Sequence, residues 1–280
     1  MTAPVSDLHA VLLALDDVRW SVKVSDAASG HQLFASGPDT VLPTASVGKV
    51  LLLIETARQL ESGELEPSVA LQRTVEDDVQ DSGIWQFMAA DRLGVEDLAL
   101  LVGVLSDNLA TNVLLRRVGL ASVRRTADRL GLHAVRLHDK VRDRRGPSDP
   151  ATLSQGSAAE WVDLLARLSA GAVVSAEVSR RVLCWLQSGA DLSMVAQPFG
   201  LDPLAHATPD RGLRLWHKTG TDDGTRADVG LLAGPAATVA YAALAHWDPA
   251  GPDRRMAVLA AMHAVGRAVL EAAGGSPYDG

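Results

Sequence analysis

A single cysteine, Cys184, stands in 280 residues, so no intrachain disulfide can form. Its neighbours Val182, Leu183, Trp185 and Leu186 make it read as a small buried hydrophobe and not as a reactive thiol. Positive charge is in deficit. Lys and Arg number 26 against 34 Asp and Glu, a net charge of −8, which excludes a non-specific nucleic-acid binder. No apolar run approaches the length of a membrane span, so no membrane partner is expected. The first twenty residues lack a basic n-region. Their apolar stretch at 10–15 is short and flanked by Asp7 and Asp16-Asp17. No secretory signal is read there, and the expected location is the cytoplasm. His133, His138 and Asp139 have no metal-ligand spacing, and no cofactor or metal is expected. Lysine is scarce too: Lys23, Lys49, Lys140 and Lys218 are the four present.

What the chain does have is apolar content. At 47% hydrophobic and 21% charged residues, it describes a soluble globular protein of one large domain or two interleaved ones. The most apolar helical run is Val50-Leu51-Leu52-Leu53-Ile54, continued through Thr56-Ala57-Arg58-Gln59-Leu60 to Gly63. Apolar residues on nearly every side mark a buried helix, and Gly63 suits its C-terminal stop. Ser46-Val47-Gly48-Lys49 opens this run. Positions i and i+3 share a helix face, so the Lys49 amine is placed to reach the Ser46 oxygen. An amine driven into an apolar core prefers to be neutral, and a neutral amine is a base that activates a serine. Alone, the pattern also reads as an N-cap serine with a solvated lysine behind it.

The remaining periodicities give an architecture. A short amphipathic helix over 6–15 precedes a hairpin, with strands at 20–24 and 31–35. From about 70 to 210 the pattern is helical, with segments at 94–102, 109–118, 122–130, a helix through Glu160 capped by Thr152 or Ser154, and one at 175–186. Residues 187–212 carry three prolines and read as a long loop. Alternation returns at 213–219, 228–232 and 238–244, and a helix over 254–273 closes the chain. Strands at both ends and helices between them predict an α/β fold in which the two termini build one antiparallel sheet with flanking helices. The expected division is a sheet domain of 1–45 and 213–280 and an all-α domain of 46–212, with the active site between them. Oligomeric state is left open.

Two further triplets follow Ser46-Val47-Gly48-Lys49 in order: Ser106-Asp107-Asn108 between helices, and Lys218-Thr219-Gly220 on a strand before a turn. Each is weak alone. Ser106-Asp107-Asn108 also reads as a cap and turn, and Lys218 as a strand lysine pointing to water. Together, in these settings, they match the trio of the serine β-lactamases and penicillin-binding proteins. The chain resembles the class A serine β-lactamases, and more loosely the penicillin-recognising transpeptidases and carboxypeptidases. Asp81-Ser82-Gly83-Ile84-Trp85 and Arg226-Ala227-Asp228-Val229-Gly230 look like further stretches of that family.

The resemblance implies a fold of the β-lactamase/transpeptidase kind and a small-molecule substrate, a β-lactam or a related ester or amide. It implies Ser46 as nucleophile, Lys49 as its base and Ser106 as proton relay to the departing nitrogen. The amides of Ser46 and Thr221 would form an oxyanion hole. Lys218, Thr219 and Gly220, with Arg226, would receive a substrate carboxylate, Asn108 would meet the substrate amide, and Trp85 is a candidate wall of the cleft. Asp107 reads as structural.

One expectation of the resemblance has no match. A glutamate within a Glu-x-x-x-Asn pattern should lie in the loop after the third middle helix, holding the water that frees the acyl-enzyme. Residues 136–150, RLHDKVRDRRGPSDP, contain neither glutamate nor asparagine. Asp139, Asp143 and Asp149 are the carboxylates there, with Asp139 and Asp143 the candidates for deacylation. Three readings result: β-lactam ring opening through an acyl-Ser46 intermediate with slow deacylation, a cytoplasmic esterase or amidase on the same apparatus, or a penicillin-binding or sensor module without turnover.

Overall fold

The computed structural model describes residues 5–276. Helix α1 (Val5–Leu13) precedes the hairpin of β1 (Arg19–Asp26) and β2 (Gln32–Ser36). A short strand, β3 (Leu42–Pro43), leads through a 3-10 turn, Ala45–Gly48, into α2 (Lys49–Glu61). Strands β4 (Ala70–Gln72) and β5 (Arg92–Gly94) form a small ribbon ahead of α3 (Val95–Leu105), α4 (Asn108–Val118) and α5 (Leu120–Arg129). Strands β6 (Arg136–Leu137) and β7 (Ser154–Gly156) bracket the charged loop, and β7 pairs with both β6 and β3. Helices α6 (Ala158–Ser169) and α7 (Ala176–Leu186) follow. The chain ends in β8 (Arg214–Asp222), β9 (Thr225–Ala233), β10 (Thr238–His246) and α8 (Arg255–Ala272).

The main sheet is antiparallel in the order β2-β1-β10-β9-β8, so the two ends of the chain do meet in one sheet. Both of its faces are covered. Ala240, Ala242 and Leu244 of β10 enter one core with Ala227, Val229 and Leu231 of β9 and the buried faces of the middle helices. Val239, Tyr241, Ala243 and Ala245 enter a second core with Leu8 and Leu12 of α1 and Val258, Met262 and Val265 of α8. Successive strand residues point to opposite faces, so a strand buried on both sides must be apolar along its buried length, as β10 is from Val239 to Ala245. The middle helices gather around α2. Val50 to Ile54 are each 2% exposed or less, which accounts for the absence of a polar face at the start of that helix. Among the described residues no helix is long and apolar enough to cross a membrane.

Several local readings are corrected. The middle segment carries two small sheets beside its helices, because strands of two or three residues leave no period to read. The cap of α6 is Ser157, which accepts from the Glu160 amide at 3.4 Å. Ser154 lies instead in β7, its hydroxyl between Thr44 Oγ1 at 2.7 Å and the Ala45 carbonyl at 2.6 Å. Cys184 is exposed. Helix α7 turns Val178, Val182, Trp185 and Leu186 inward, and a residue two positions from Val182 falls on the opposite side of the helix.

Asp107 ties this body together. It caps α4 through the Ala110 amide at 2.9 Å, and its second oxygen accepts from the amides of Ile84 and Trp85 at 2.8 and 2.9 Å. Replacing it with alanine leaves three amides without an acceptor, at a cost of about 3 kcal/mol. Asp107→Ala should therefore lower the urea midpoint without changing the slope of the transition, and Asp107→Asn should lose less.

Candidate active site

A cavity of about 560 Å³ lies between the edge strand β8, the Ala45–Gly48 turn, the junction of α3 and α4, and the loop over 139–150. Ser46 opens into it from the 3-10 turn. Lys49, the first residue of α2, lies behind that wall and is fully buried. An isolated buried ammonium costs several kcal/mol even after relaxation. The leucine and isoleucine side chains beside it each contribute about 2 kcal/mol on burial, so the helix stays in and the lysine must adapt. Burial, reinforced by the positive charge of Lys218, pushes the Lys49 amine well below the usual lysine range. Its hydrogen bonds run to the Ser106 carbonyl at 2.7 Å, the Ser106 hydroxyl at 3.2 Å and Asn108 Oδ1 at 2.8 Å. The expected direct bond to Ser46 is not among them, since the amine is turned toward these groups at the α3–α4 junction.

That junction is strained. Ser106 ends α3 at φ +56°, ψ +29°, and Ala45, just before Ser46, has φ +45°. A non-glycine residue in the left-handed region costs of order 1 kcal/mol or more and persists only where its surroundings enforce it. At Ser106 the twist sends the carbonyl and the hydroxyl to the same amine. Asn108 is committed as well: its oxygen accepts from Lys49, and its Nδ2 donates to the Gln80 carbonyl at 3.0 Å.

On the other side, Lys218 is 3% exposed. Burial lowers its amine to about 8, against the pull of Asp191 and Asp228, and its Nζ donates to the Thr219 carbonyl at 2.8 Å. Thr219 and Thr221 line the cleft. Gly220 lies against the nucleophile turn: a Cβ there would collide with the Thr44 carbonyl and stand 3.1 Å from the Ser46 and Val47 amides. Glycine is thus what lets β8 reach Ser46. Because β8 is an edge strand, its unpaired side faces the cleft.

The structure therefore brings together Ser46, Lys49, Ser106, Asn108, Lys218, Thr219, Gly220 and Thr221. It does not bring in three other candidates. Trp85 is fully buried with its indole N–H on the Ala90 carbonyl at 2.9 Å, so it is core. Arg226 donates to the carbonyls of Thr225 and Asp222 at 2.7 and 3.1 Å, stands over the Trp247 ring, and lines a neighbouring pocket. Asp139 is held by Arg142 at 2.7 Å and Arg145 at 2.8 Å, away from the cleft. Against burial, these partners keep its carboxyl below the ordinary range. Asp143 does line the cleft, and it accepts from the Gln80 amide at 2.9 Å.

Other residues at the site were not read from the sequence. Asn112, inside α4, holds both backbone groups of Val141: its Nδ2 donates to the carbonyl at 3.0 Å, and its Oδ1 accepts from the amide at 2.8 Å. The point at which the loop is docked into the cleft thus presents a valine. A polar residue within the buried run of α4 was the available signal. Asp191 reaches the cleft from the loop after α7, where no periodicity marks it. On the far face of β8 from Lys218, His217 lies 3.4 Å from Asp228, which also accepts from Tyr241 Oη and the Val195 amide. Among the described residues no group of His, Cys, Asp or Glu is arranged to hold a metal ion.

A sheet formed by both termini, a helical body and a serine cleft at their seam define the β-lactamase/transpeptidase fold. The chain belongs to the β-lactamase enzyme family, whose sequence profile matches residues 4–273, and it is a β-lactamase-like hydrolase. It is similar to a β-lactamase from Sphaerobacter thermophilus DSM 20745, at 25% identity and TM-score 0.83 over 97% of this chain and 98% of that one. It shares its fold with PBP-A, at 18% identity and TM-score 0.80 over 96% and 94% of the two chains. A class A β-lactamase from Mycobacterium abscessus shares it too, at 18% identity and TM-score 0.78 over 96% and 98%. No curated protein matches the chain by sequence.

Gly220→Ala tests the closure of the cleft. The added methyl must push β8 away from the Ser46 turn, and a displacement near 1 Å costs about 100-fold in rate. Acylation by any reactive substrate should fall by that order, while far-UV circular dichroism keeps its native shape.

Proposed function

We propose that the protein opens β-lactam rings, or cleaves a related ester or amide, through an acyl-Ser46 intermediate that is hydrolysed slowly. The observation that carries this reading is the buried Lys49 amine, depressed in pKa and bonded to Ser106 beside the Ser46 turn. Lys49 takes the Ser46 proton as Oγ bonds the carbonyl carbon. The developing oxyanion is received by the Ser46 and Thr221 amides, close together because Gly220 permits it. The C–N or C–O bond then breaks, and the proton passes from Lys49 through the Ser106 hydroxyl to the departing atom. Lys218 and Thr219 orient the departing portion. A β-lactam is favoured as the substrate class by the family and by a PBP-A variant of the same fold, solved as its acyl-enzyme complex with penicillin G.

Slow hydrolysis is supported by the loop. Its docked residue, Val141, has no proton-accepting group, and Asp139 is occupied by arginines. Asp143 is the loop carboxylate that faces the cleft.

Intact mass after incubation with benzylpenicillin should show one adduct that maps to Ser46, and Ser46→Ala should abolish it; an adduct elsewhere sinks the proposal. Val141→Glu, which supplies a carboxylate at the docked position, should shorten the adduct's lifetime about tenfold or more. The pH profile of acylation has a definite sense. Below its lowered pKa Lys49 takes up a proton and ceases to be a base, so the rate rises with pH through that value. Above about 8 Lys218 loses its charge, and with it the cation that lines the cleft, so acylation by a carboxylate-bearing substrate such as benzylpenicillin declines. Stopped-flow acylation across the range should give this bell, and Lys49→Met should remove it along with about 10³-fold of the rate.

A further inference from the structure

A short chain of buried hydroxyls ends behind the nucleophile. Thr44 and Ser154 are fully buried, and Ser154 Oγ lies 2.6 Å from the Ala45 carbonyl and 2.7 Å from Thr44 Oγ1. A hydroxyl has one proton to give. The carbonyl can only accept, so Ser154 donates to it and Thr44 donates to Ser154. The backbones are tied as well: one residue beyond the pairing of β3 with β7, the Thr44 amide donates to the Ser154 carbonyl at 3.0 Å. Gly48 leaves room for this approach, because a Cβ there would collide with Ser154 Cβ.

The Ala45 carbonyl is one end of the peptide that carries the Ser46 amide. In a trans peptide the C=O and the N–H point in opposite directions across one plane. A group that fixes the carbonyl on the buried side therefore aims the amide the other way, toward the cleft that Ala45 and Ser46 line. The fixing is needed, since Ala45 holds φ +45°, a left-handed conformation that an alanine keeps only where its surroundings enforce it. The bond also polarises the peptide: a carbonyl that accepts a hydrogen bond leaves its own N–H a stronger donor.

On the acyl-Ser46 reading just given, we propose that Ser154 is a positioning residue for the oxyanion hole: its hydroxyl, oriented by Thr44, holds the Ala45 carbonyl so that the Ser46 amide stays aimed at the oxygen that gains charge in acylation. Ser154 touches neither the substrate nor the reacting atoms and acts through the Ala45–Ser46 peptide. It lies on β7, directly after the charged loop, so the strand that closes that loop also sets the amide. An oxyanion donor works by meeting charge as it forms. Its aim therefore counts in the rate of bond formation and little in ground-state affinity.

Benzylpenicillin isotope-labelled at its β-lactam carbonyl carbon tests this, by stopped-flow acylation and by the infrared band of the ester formed. Ser154→Ala should lower the saturating acylation rate about tenfold or more, while the noncovalent dissociation constant changes less than about twofold. The ester band of its adduct should move to higher wavenumber, because a carbonyl released from its donors regains double-bond character. Thr44→Val leaves Ser154 without its donor and should move both readings the same way by a smaller amount. Ser154→Cys keeps a weak donor and should recover part of the loss. A merely structural role would lower the melting temperature and leave the ester band in place. An unchanged acylation rate or an unmoved band in folded Ser154→Ala overturns the proposal, as does a loss confined to the dissociation constant. Should Ser154→Ala not fold, Thr44→Val decides on the same two readings. If the wild-type protein forms no adduct on Ser46, the acyl-enzyme reading falls and this one with it. If the adduct forms and the variants leave rate or band unmoved, only the role of Ser154 falls.

Discussion

The active site depends on an amine placed where a charge is hard to keep. Lys49 begins the most buried helix of the protein, and the aliphatic residues that follow it are worth more inside than the lysine costs. Its neighbours resolve the conflict in two ways. The carbonyl of Ser106 and the Asn108 oxygen meet its donors, so the group is not an orphan in the core. Lys218, buried across the same seam, biases the pair toward one proton fewer. An amine lowered in this way, with two N–H donors met, keeps a lone pair, which the proposed reaction with Ser46 requires.

Holding that amine requires three distant pieces of chain to stay in register. The left-handed turn at Ser106 is enforced from below by Asp107, whose carboxylate joins the start of α4 to the stretch at 84–85. Strand β8 is held against the Ser46 turn by a contact that only a glycine permits. The loop over 139–150 is clamped by Asn112 at its start and by the arginine–aspartate cluster around Asp139 farther on. Asp107, Gly220 and Asn112 act on backbone and the arginines on Asp139, and together they hold the cleft in one shape.

The sequence reveals the parts of this site that are local. Ser46 with Lys49, the Ser106 triplet and the Lys218 strand each lie within a few residues of one another, and their settings follow from hydrophobic period. The two-ended sheet was legible for the same reason: the stretches at 213–219, 228–232 and 238–244, which alternate or run apolar, fall on β8, β9 and β10. What could not be read depends on long-range packing. Trp85 and Arg226 sit in stretches like those of the family, yet one is drawn into the core and the other folds onto its own turn and Trp247. Cys184 has apolar neighbours in the chain but a solvent face in space. Asn112 and Asp191 are ordinary residues until the loop docked by the first and the strand flanked by the second are known.

Two residues of the cleft, Val141 and Asp191, lie in irregular chain. Val141 is the loop residue docked by Asn112, and in the proposed reaction it bears on release of the acyl group. Asp191 lines the same cleft and steadies the ammonium of Lys218. Val141 packs against the core that holds α2, whereas Asp191 is fixed by Ser193. Lys49 and Ser106 are set by buried elements whose geometry the whole structure enforces. The rim of the cleft is irregular chain, where a change is tolerated better than in those elements.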